Sequence, residues 1–460
     1  MLTVEKIGGT SMSQFHTVLH NIFLRPKENP YNRIFVVSAY SGVTNWLLED
    51  KKTGAPGIYL KFSKQEQYEY ALDELLDKLI AINQQFKDIG LDQEIARKYI
   101  TQRIQDTKSL LHSMSEVLAS GYVLKNNLLL ASREILASIG EAHSAFNSVN
   151  IIQHHNIHAT FVDLSGFHDS EFLTIDERIR KSFKSIDFLK TITVATGYTK
   201  GTEGIMREFD RGYSEVTFSK VAVAVKADEA IIHKEYHLSS ADPVIVGTEE
   251  AVPVGNTNYD VADQLADIGM EAIHPKASKP LEKLGINLRI KNTFEPEHPG
   301  TLISKDFKGT ERKVEMIAGS DKVVIIDIHD SLMVGEVGVD LNLMELFKKY
   351  NISYILKSTN ANSISMVIWE KQKTDDLINE LTSRYQLVTV KDCAIVCAMG
   401  SNISKPGVLA QAASILAKNH INIESVAQSL RQVNMQFVID RPSFKKAVCE
   451  LNKALCLEKE

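Results

Sequence analysis

Cysteine is scarce. The 460 residues hold four, Cys393, Cys397, Cys449 and Cys456, and none precedes position 393. A secreted disulfide scaffold would spread its cysteines, so these read as reduced, mostly buried thiols of a cytoplasmic protein. No apolar run approaches the ~18 residues needed to span a bilayer. A net charge of −6 gives no global attraction to nucleic acid or anionic membrane. Glu5 and Lys6 stand where a signal peptide needs an apolar core, so export is not expected. The P-loop spacing G-x-x-x-x-G-K-S/T is missing, which excludes that nucleotide site at the motif level. There is no Ser-His-Asp or Cys-His constellation. His154, His155 and His158 lack a cysteine or carboxylate at ligand spacing; they read as surface residues, and no metal site is expected.

What is present points to several domains, roughly three at about 150 residues each. The first 300 residues or so read as α/β. "LTVEKIG" is a short strand ending in a glycine loop, and "RIFVVSAYSGVTNWL" repeats the plan. Apolar runs with turn residues at their C-terminal ends predict a parallel sheet with its sites at the strand ends. "TITVATGY" and "DEAIIHK" add buried strands, separated by a helix around residues 213–226. Leu72, Leu75, Leu76, Leu79 and Ile82 recur at helical spacing, and Ile95, Tyr99, Ile100 and Ile104 continue it. They predict a helical insertion at about 50–130.

A Pro-, Gly- and charge-rich stretch at 291–313 reads as a surface connection. Beyond it the chain repeats at an offset of 69 residues: Gly338-Val339 align with Gly407-Val408, Ile352 with Ile421, and Met366 with Met435. Each copy reads as a ferredoxin-like βαββαβ unit, and the pair as two small sandwiches with two helices over one sheet face. The boundaries are 1–303 for the first domain, 304–313 for the linker, and 314–385 and 386–460 for the repeats.

Four stretches carry residues suited to chemistry. In Lys6-Ile7-Gly8-Gly9-Thr10-Ser11, glycines allow backbone N–H groups to approach an anion and lysine adds a point charge; a tight turn alone would read the same way. Ser38 to Asn45 sets small residues and hydroxyls after a buried strand, as a ligand contact or a capped loop. Glu141 falls within an apolar helical pattern, where a carboxylate needs a cationic partner unless the helix turns it to solvent. Arg211-Gly212-Tyr213-Ser214 opens a helix behind a glycine-rich loop, either an anion site or a mobile hairpin.

Together these stretches resemble the aspartate kinases of the amino-acid kinase family, followed by two regulatory ACT domains. The family's K-F/I-G-G-T-S is matched by Lys6 to Ser11, and S-A-x-x-G-x-T-D/N by Ser38 to Asn45. Its G-E helix motif is matched by Gly140-Glu141, its H-P by His274-Pro275, and T-F-x-P…G-T-L-I by Thr293 to Ile303. The resemblance implies an amino-acid kinase fold, a mostly parallel sheet sandwiched by helices, plus two ferredoxin-like ACT domains. It implies ATP with Mg²⁺, L-aspartate as acceptor, an amino-acid effector at the ACT domains, and a homodimer or homotetramer through them. It places Lys6 as catalytic, with Gly8, Gly9, Thr10, Ser38, Glu215 and Asp242 on the phosphate and nucleotide side. Thr44, Glu141, Arg211 and Ser214 fall on the aspartate side, Glu141 for the ammonium and Arg211 for a carboxylate.

The chain also departs from the pattern. T-T-L-G-R-G-G-S-D is rewritten so that Tyr213 replaces a glycine and Glu215 the aspartate. W-T-D-V-x-G-I/V-x-T-x-D-P becomes "HKEYHLSSADP", residues 233–243, with Val244 where an arginine often follows. A branch of aspartate kinases encoded with ectoine biosynthesis genes looks similar here, which implies a role in compatible-solute synthesis. In lysine-inhibited members two carboxylates stand where this chain has Ile355 and Thr359-Asn360-Ala361, so lysine is expected to inhibit weakly or not at all. Two alternatives are an inactive kinase-like effector-binding protein and a kinase for another small carboxylate such as acetylglutamate. Lys6, Glu141 and Arg211 speak against the first; Glu141, with no ammonium to bind, speaks against the second.

Overall fold

In the computed structural model, which describes residues 1–24, 29–50, 53–209, 212–270, 272–311 and 313–457, the predicted apolar runs lie among the strands. These strands are β1 (Thr3–Ile7), β2 (Arg33–Val37), β3 (Ala159–Val162), β4 (Ile192–Thr196), β5 (Glu229–Lys234), β6 (Asn256–Asn258), β7 (Asn287–Asn292) and β8 (Thr301–Ser304). The chain divides into two units. One comprises Met1–His237 and His274–Gly300, the other Leu238–Ile273 and Thr301–Glu460.

The first unit is built on a parallel sheet in the order β3-β4-β2-β1-β5-β7. β2 and β4 are buried at every position. Strands covered on both faces have no solvent side to alternate with, which is why they read as continuous apolar runs. The loops leaving β1, β2, β4, β5 and β7 begin at Gly8, Ser38, Gly197, Glu235 and Thr293, at the carboxyl ends of the strands where α/β sheets hold their ligands.

The helical insertion comprises Tyr68–Gln84 and Gln93–Ser120. Asp92 starts the second helix by accepting from the Glu94 and Ile95 N–H groups, both at 3.0 Å. Leu72, Leu75 and Leu79 are buried as the periodicity predicts, but Ile95 is 49% exposed. It occupies the first turn, outside the packed stripe. The helix Lys125–His154 runs back toward the sheet, and it is buried almost throughout from Leu136 to Ile152. Glu141 therefore lies in the core and not on a solvated helix face.

The second unit holds the repeat. Its strands are β9 (Met316–His329), β10 (Tyr354–Thr359), β11 (Ser363–Trp369), β12 (Leu387–Met399), β13 (Ser425–Gln428) and β14 (Asn434–Asp440). The matched glycines Gly338 and Gly407 have φ of 91° and 95°, and each precedes a helix, Val339–Lys349 and Val408–Lys418. The two copies are not the separate sandwiches that the repeat predicts. They form one antiparallel sheet, ordered β10-β11-β9-β12-β14-β13, and share its two long central strands. Residues 387–393 of β12 pair with 323–329 of β9, and 395–399 with 316–320, with a register shift between Cys393 and Ile395. Each copy thus takes its last strand from half of a strand whose other half serves its neighbour.

One face of this sheet packs on the repeat helices, with Leu343, Phe347, Leu377 and Leu381 in the first copy and Ala412, Leu416, Val448 and Leu451 in the second. The other face carries Cys393 and Cys397, both buried, against Val261, Leu265 and Ile268. Those last residues belong to the 238–273 segment, whose helix Tyr259–Asp267 covers the sheet.

Candidate active site

Lys6 is the penultimate residue of β1, just before the glycine loop, and its Nζ lies 3.9 Å from the position of a Cβ on Gly8. Its ammonium lies 3.5 Å from Glu215 Oε1, and both side chains are mostly buried. The other oxygen of Glu215 accepts the His274 backbone N–H at 2.6 Å. Burial alone would raise the Glu215 carboxyl, but Lys6, Lys234 and that N–H outweigh it and hold it below the usual carboxylate range.

A short helix begins at Gly9. A Cβ on Gly9 would stand 2.7 Å from the Ala39 carbonyl oxygen, so only glycine lets the first loop lie this close to the second. The Ser41 N–H donates to Ser13 Oγ at 2.7 Å and ties the loops together. Thr10 is exposed between them. Ser38 is half-buried, and its carbonyl accepts from the Ser144 hydroxyl at 2.8 Å. Thr44 lies half-buried in the following short helix, Val43–Leu47. Gly140 gives the helix its close approach to this loop: a Cβ there would sit 2.7 Å from that of Ala39.

Glu141 follows, 1% exposed. The Ser214 hydroxyl donates to its Oε1 at 2.6 Å, and its buried Oε2 makes no hydrogen bond among the described residues. Burial pushes the carboxyl up to about 8, against the pull of Ser214, Lys6 and Tyr213. Tyr213, the residue in place of a glycine, is buried edge-on against Tyr198 with ring centroids 5.9 Å apart. The Tyr198 hydroxyl in turn donates to Glu134 at 2.7 Å. Glu134 also takes the Met206 N–H at 2.9 Å, which anchors the glycine-rich loop to the long helix.

Ser214 and Glu215 are neighbours in the helix Tyr213–Val225, and one faces Glu141 while the other faces Lys6. This helix brings the two predicted half-sites together. Arg211 lies outside the described residues. Asp242 belongs to the second unit, where it caps the short helix Pro243–Val246 by accepting from the Val244 N–H at 2.9 Å.

Sequence reasoning gave no role to several residues that line the same strand ends. Ser11 Oγ lies 3.2 Å from Thr293 Oγ1 and donates to Glu235 at 3.3 Å, while Asn21 donates to the Thr293 carbonyl at 2.9 Å. Thr293 and His274 lay inside matched motifs, which was the available signal. Glu134 and Tyr198 had none. At the heart of the sheet, Arg33 grips Glu5 at 2.6 and 2.9 Å, and His233 Nε2 lies 2.7 Å from the same carboxylate. Burial opposes the charge on Glu5, yet Arg33 and His233 hold its carboxyl far below the usual range; burial pushes His233 down.

Residues 1–292 match the amino acid kinase family, and residues 396–455 match an ACT domain. The chain is 45% identical to Aspartate kinase Ask_Ect of Stutzerimonas stutzeri, over 99% of this chain and 97% of that protein. It is 24% identical to Aspartokinase 1, chloroplastic, of Arabidopsis thaliana, over 98% and 79%. Among solved structures it is similar to Clostridium acetobutylicum aspartate kinase, with a TM-score of 0.77 and 21% identity over 99% of this chain and 100% of that one. E. coli aspartokinase III in complex with aspartate and ADP gives a TM-score of 0.72 at 18% identity, over 98% and 99%. These two structures speak for the fold; the first relative speaks for the family. The chain belongs to the amino acid kinase family, among its aspartate kinases.

Proposed function

We propose that this aspartate kinase transfers the γ-phosphoryl group of ATP to the β-carboxylate of L-aspartate, with the roles of its residues as follows. The nucleophile is a carboxylate of pKa ~3.9, already ionised at neutral pH, so no general base is needed. Its oxygen forms the new P–O bond as the bond from phosphorus to the β,γ-bridging oxygen breaks. The electron pair leaves on ADP, and no proton moves. Alignment and charge neutralisation are the remaining tasks. Lys6 supplies positive charge beside the Gly8-Gly9 backbone. Thr10, Ser38 and Glu215 complete the phosphate side, and Asp242 serves the nucleotide.

On the acceptor side, the buried Oε2 of Glu141 is a hydrogen-bond acceptor awaiting a donor. An ammonium would fill that role and draw the carboxyl into its ionised form. Thr44, Ser214 and Arg211 hold the rest of aspartate. The observation that carries this reading is the helix whose consecutive residues, Ser214 and Glu215, fasten Glu141 and Lys6.

Mg²⁺ fits the same place. It keeps waters and phosphate oxygens and needs only one or two carboxylates. Glu215 and Glu235, fastened to Lys6 and Ser11, would hold it. Bound there, the ion would supply positive charge to the phosphate groups of the nucleotide.

The catalytic part is proposed to span 1–303, with ACT copies at 314–385 and 386–460, acting in the cytoplasm as a homodimer or homotetramer through them. E. coli aspartokinase III has been solved in complex with lysine and aspartate. For this chain a weak response to lysine, or none, is proposed from Ile355 and Thr359-Asn360-Ala361, where a diamino effector would need carboxylates. The name Ask_Ect of the 45% identical relative supports a role in supplying ectoine synthesis. ADP release should require L-aspartate and should not occur with acetylglutamate; the reverse preference would sink the substrate assignment.

A further inference from the structure

We propose that Lys234 is a second catalytic cation, contacting the γ-phosphoryl group opposite Lys6. This deepens the kinase reading above and rests on it.

The placement follows from the sheet. β1 and β5 are parallel neighbours, and Lys6 is in register with Ile232. Side chains alternate along a strand, so Lys234, two residues on, projects from the same face as Lys6 one step nearer the loops. Adjacent strands lie about 4.8 Å apart. Two ammonium groups carried on such stems can therefore straddle one phosphoryl group. The backbone of Lys234 is fixed: it pairs with Asn292 on β7, and its carbonyl accepts the Thr293 N–H at 2.8 Å. Its side chain is half-buried, neither lost in the core nor free in solvent.

The charge pattern supports the placement. Glu215 feels Lys6 and Lys234 as its two principal cationic neighbours. Both lysines thus converge on the carboxylate beside the glycine loop, where Lys6 Nζ lies 3.9 Å from the position of a Cβ on Gly8. Aligned at their start, W-T-D-V and His233-Lys234-Glu235-Tyr236 place lysine where the pattern has threonine. The rewritten run thereby gains a full charge at the strand end. During transfer, charge spreads over the oxygens of the γ-phosphoryl as its bond to the bridging oxygen breaks. A second fixed cation there stabilises the transition state more than bound ATP.

The test compares Lys234→Met with Lys234→Arg in the full chain, reading kcat together with the affinities for ADP and for a non-hydrolysable ATP analogue. Removing one such group costs roughly 10²-fold in kcat. Lys234→Met should show that loss, bind the analogue more weakly and bind ADP as the wild type does. Lys234→Arg should recover part of kcat. A merely structural role would weaken both nucleotides together. Lys234→Met with kcat within about threefold of wild type, or an equal loss for ADP and analogue, overturns the proposal. Should Lys234→Met misfold, Lys234→Gln takes its place with the same expectations. A wild type without aspartate-dependent turnover would instead count against the kinase reading, and the two affinities would still decide whether Lys234 meets the γ-phosphoryl.

Discussion

The Ser214 hydroxyl donates a 2.6 Å hydrogen bond to Glu141 Oε1 across 73 residues of sequence. It couples the helix that carries Glu215, the ion-pair partner of Lys6, to the buried carboxyl proposed to hold the substrate ammonium.

The first prediction concerns that carboxyl. In the native protein Glu141 keeps its proton up to about 8, whereas an ordinary Glu loses it near 4.5. Between these values the folded state binds more protons than the unfolded one, so stability falls as pH rises. Glu141→Gln removes this cost. Without ligand its melting temperature should exceed that of wild type, by more at pH 8 than at pH 5. The same variant should raise KM for aspartate by about 10- to 100-fold, the equivalent of one hydrogen bond to a charged group. An advantage equal at both pH values would contradict the raised carboxyl.

Arg33 and Glu5 form the buried ion pair beneath the site. Leaving one partner of such a pair unmatched costs roughly 3–5 kcal/mol, so Arg33→Met should lower the urea midpoint severely. The pH dependence has a definite sign. Glu5 is depressed, and its contribution is complete above 4.5 and lost as pH falls further. His233 is depressed too, so stability begins to drop as pH falls below 6.5, where the unfolded ring takes a proton first. Urea midpoints of the Glu141→Gln variant from pH 8 to pH 4, free of the opposing Glu141 contribution, check both; equal stability of that variant at pH 4 and pH 7 would refute the assignment.

Gly140 and Gly9 both press on Ala39, from the helix and from the first loop. Alanine at either position must push the Ser38–Asn45 loop aside. Misplacement by about 1 Å can cost on the order of 10²-fold in rate. Gly140→Ala should act chiefly on aspartate KM, and Gly9→Ala on turnover with ATP. Crystal structures or kinetics showing an undisturbed loop would remove the reason for glycine at these positions.

The shared strands make the ACT copies inseparable. Ending the chain at residue 385 would delete β12, which pairs along nearly all of β9, and would leave that edge of β9 unpaired. The truncated protein should aggregate on expression. A soluble, cooperatively melting product would show that the first copy folds without its neighbour.

Much of this was legible in the sequence. Buried parallel strands such as β2 and β4 have unbroken apolar runs, and glycine loops mark their ends. The repeat at an offset of 69 residues set the helices at Val339 and Val408 in equivalent places. Strand sharing was not legible, because a 13-residue strand split between two partners has the same pattern as one strand and its tail. Nor was the packing of Val261 and Leu265 on the ACT sheet, since periodicity shows that a face is buried but not against what. In the structure Lys6 meets Glu215, and Ser214 meets Glu141. Glu134 and Tyr198 carry no local signature, and their roles arise only from contacts distant in sequence.

The central claim is transfer to a carboxylate, and the most direct measurement is hydroxylamine trapping of the acyl phosphate alongside ADP release. With ATP, Mg²⁺ and L-aspartate, the wild type should form aspartyl hydroxamate in step with ADP, and Lys6→Ala should form almost none. ADP release without hydroxamate, or hydroxamate formation undiminished in Lys6→Ala, would contradict the account.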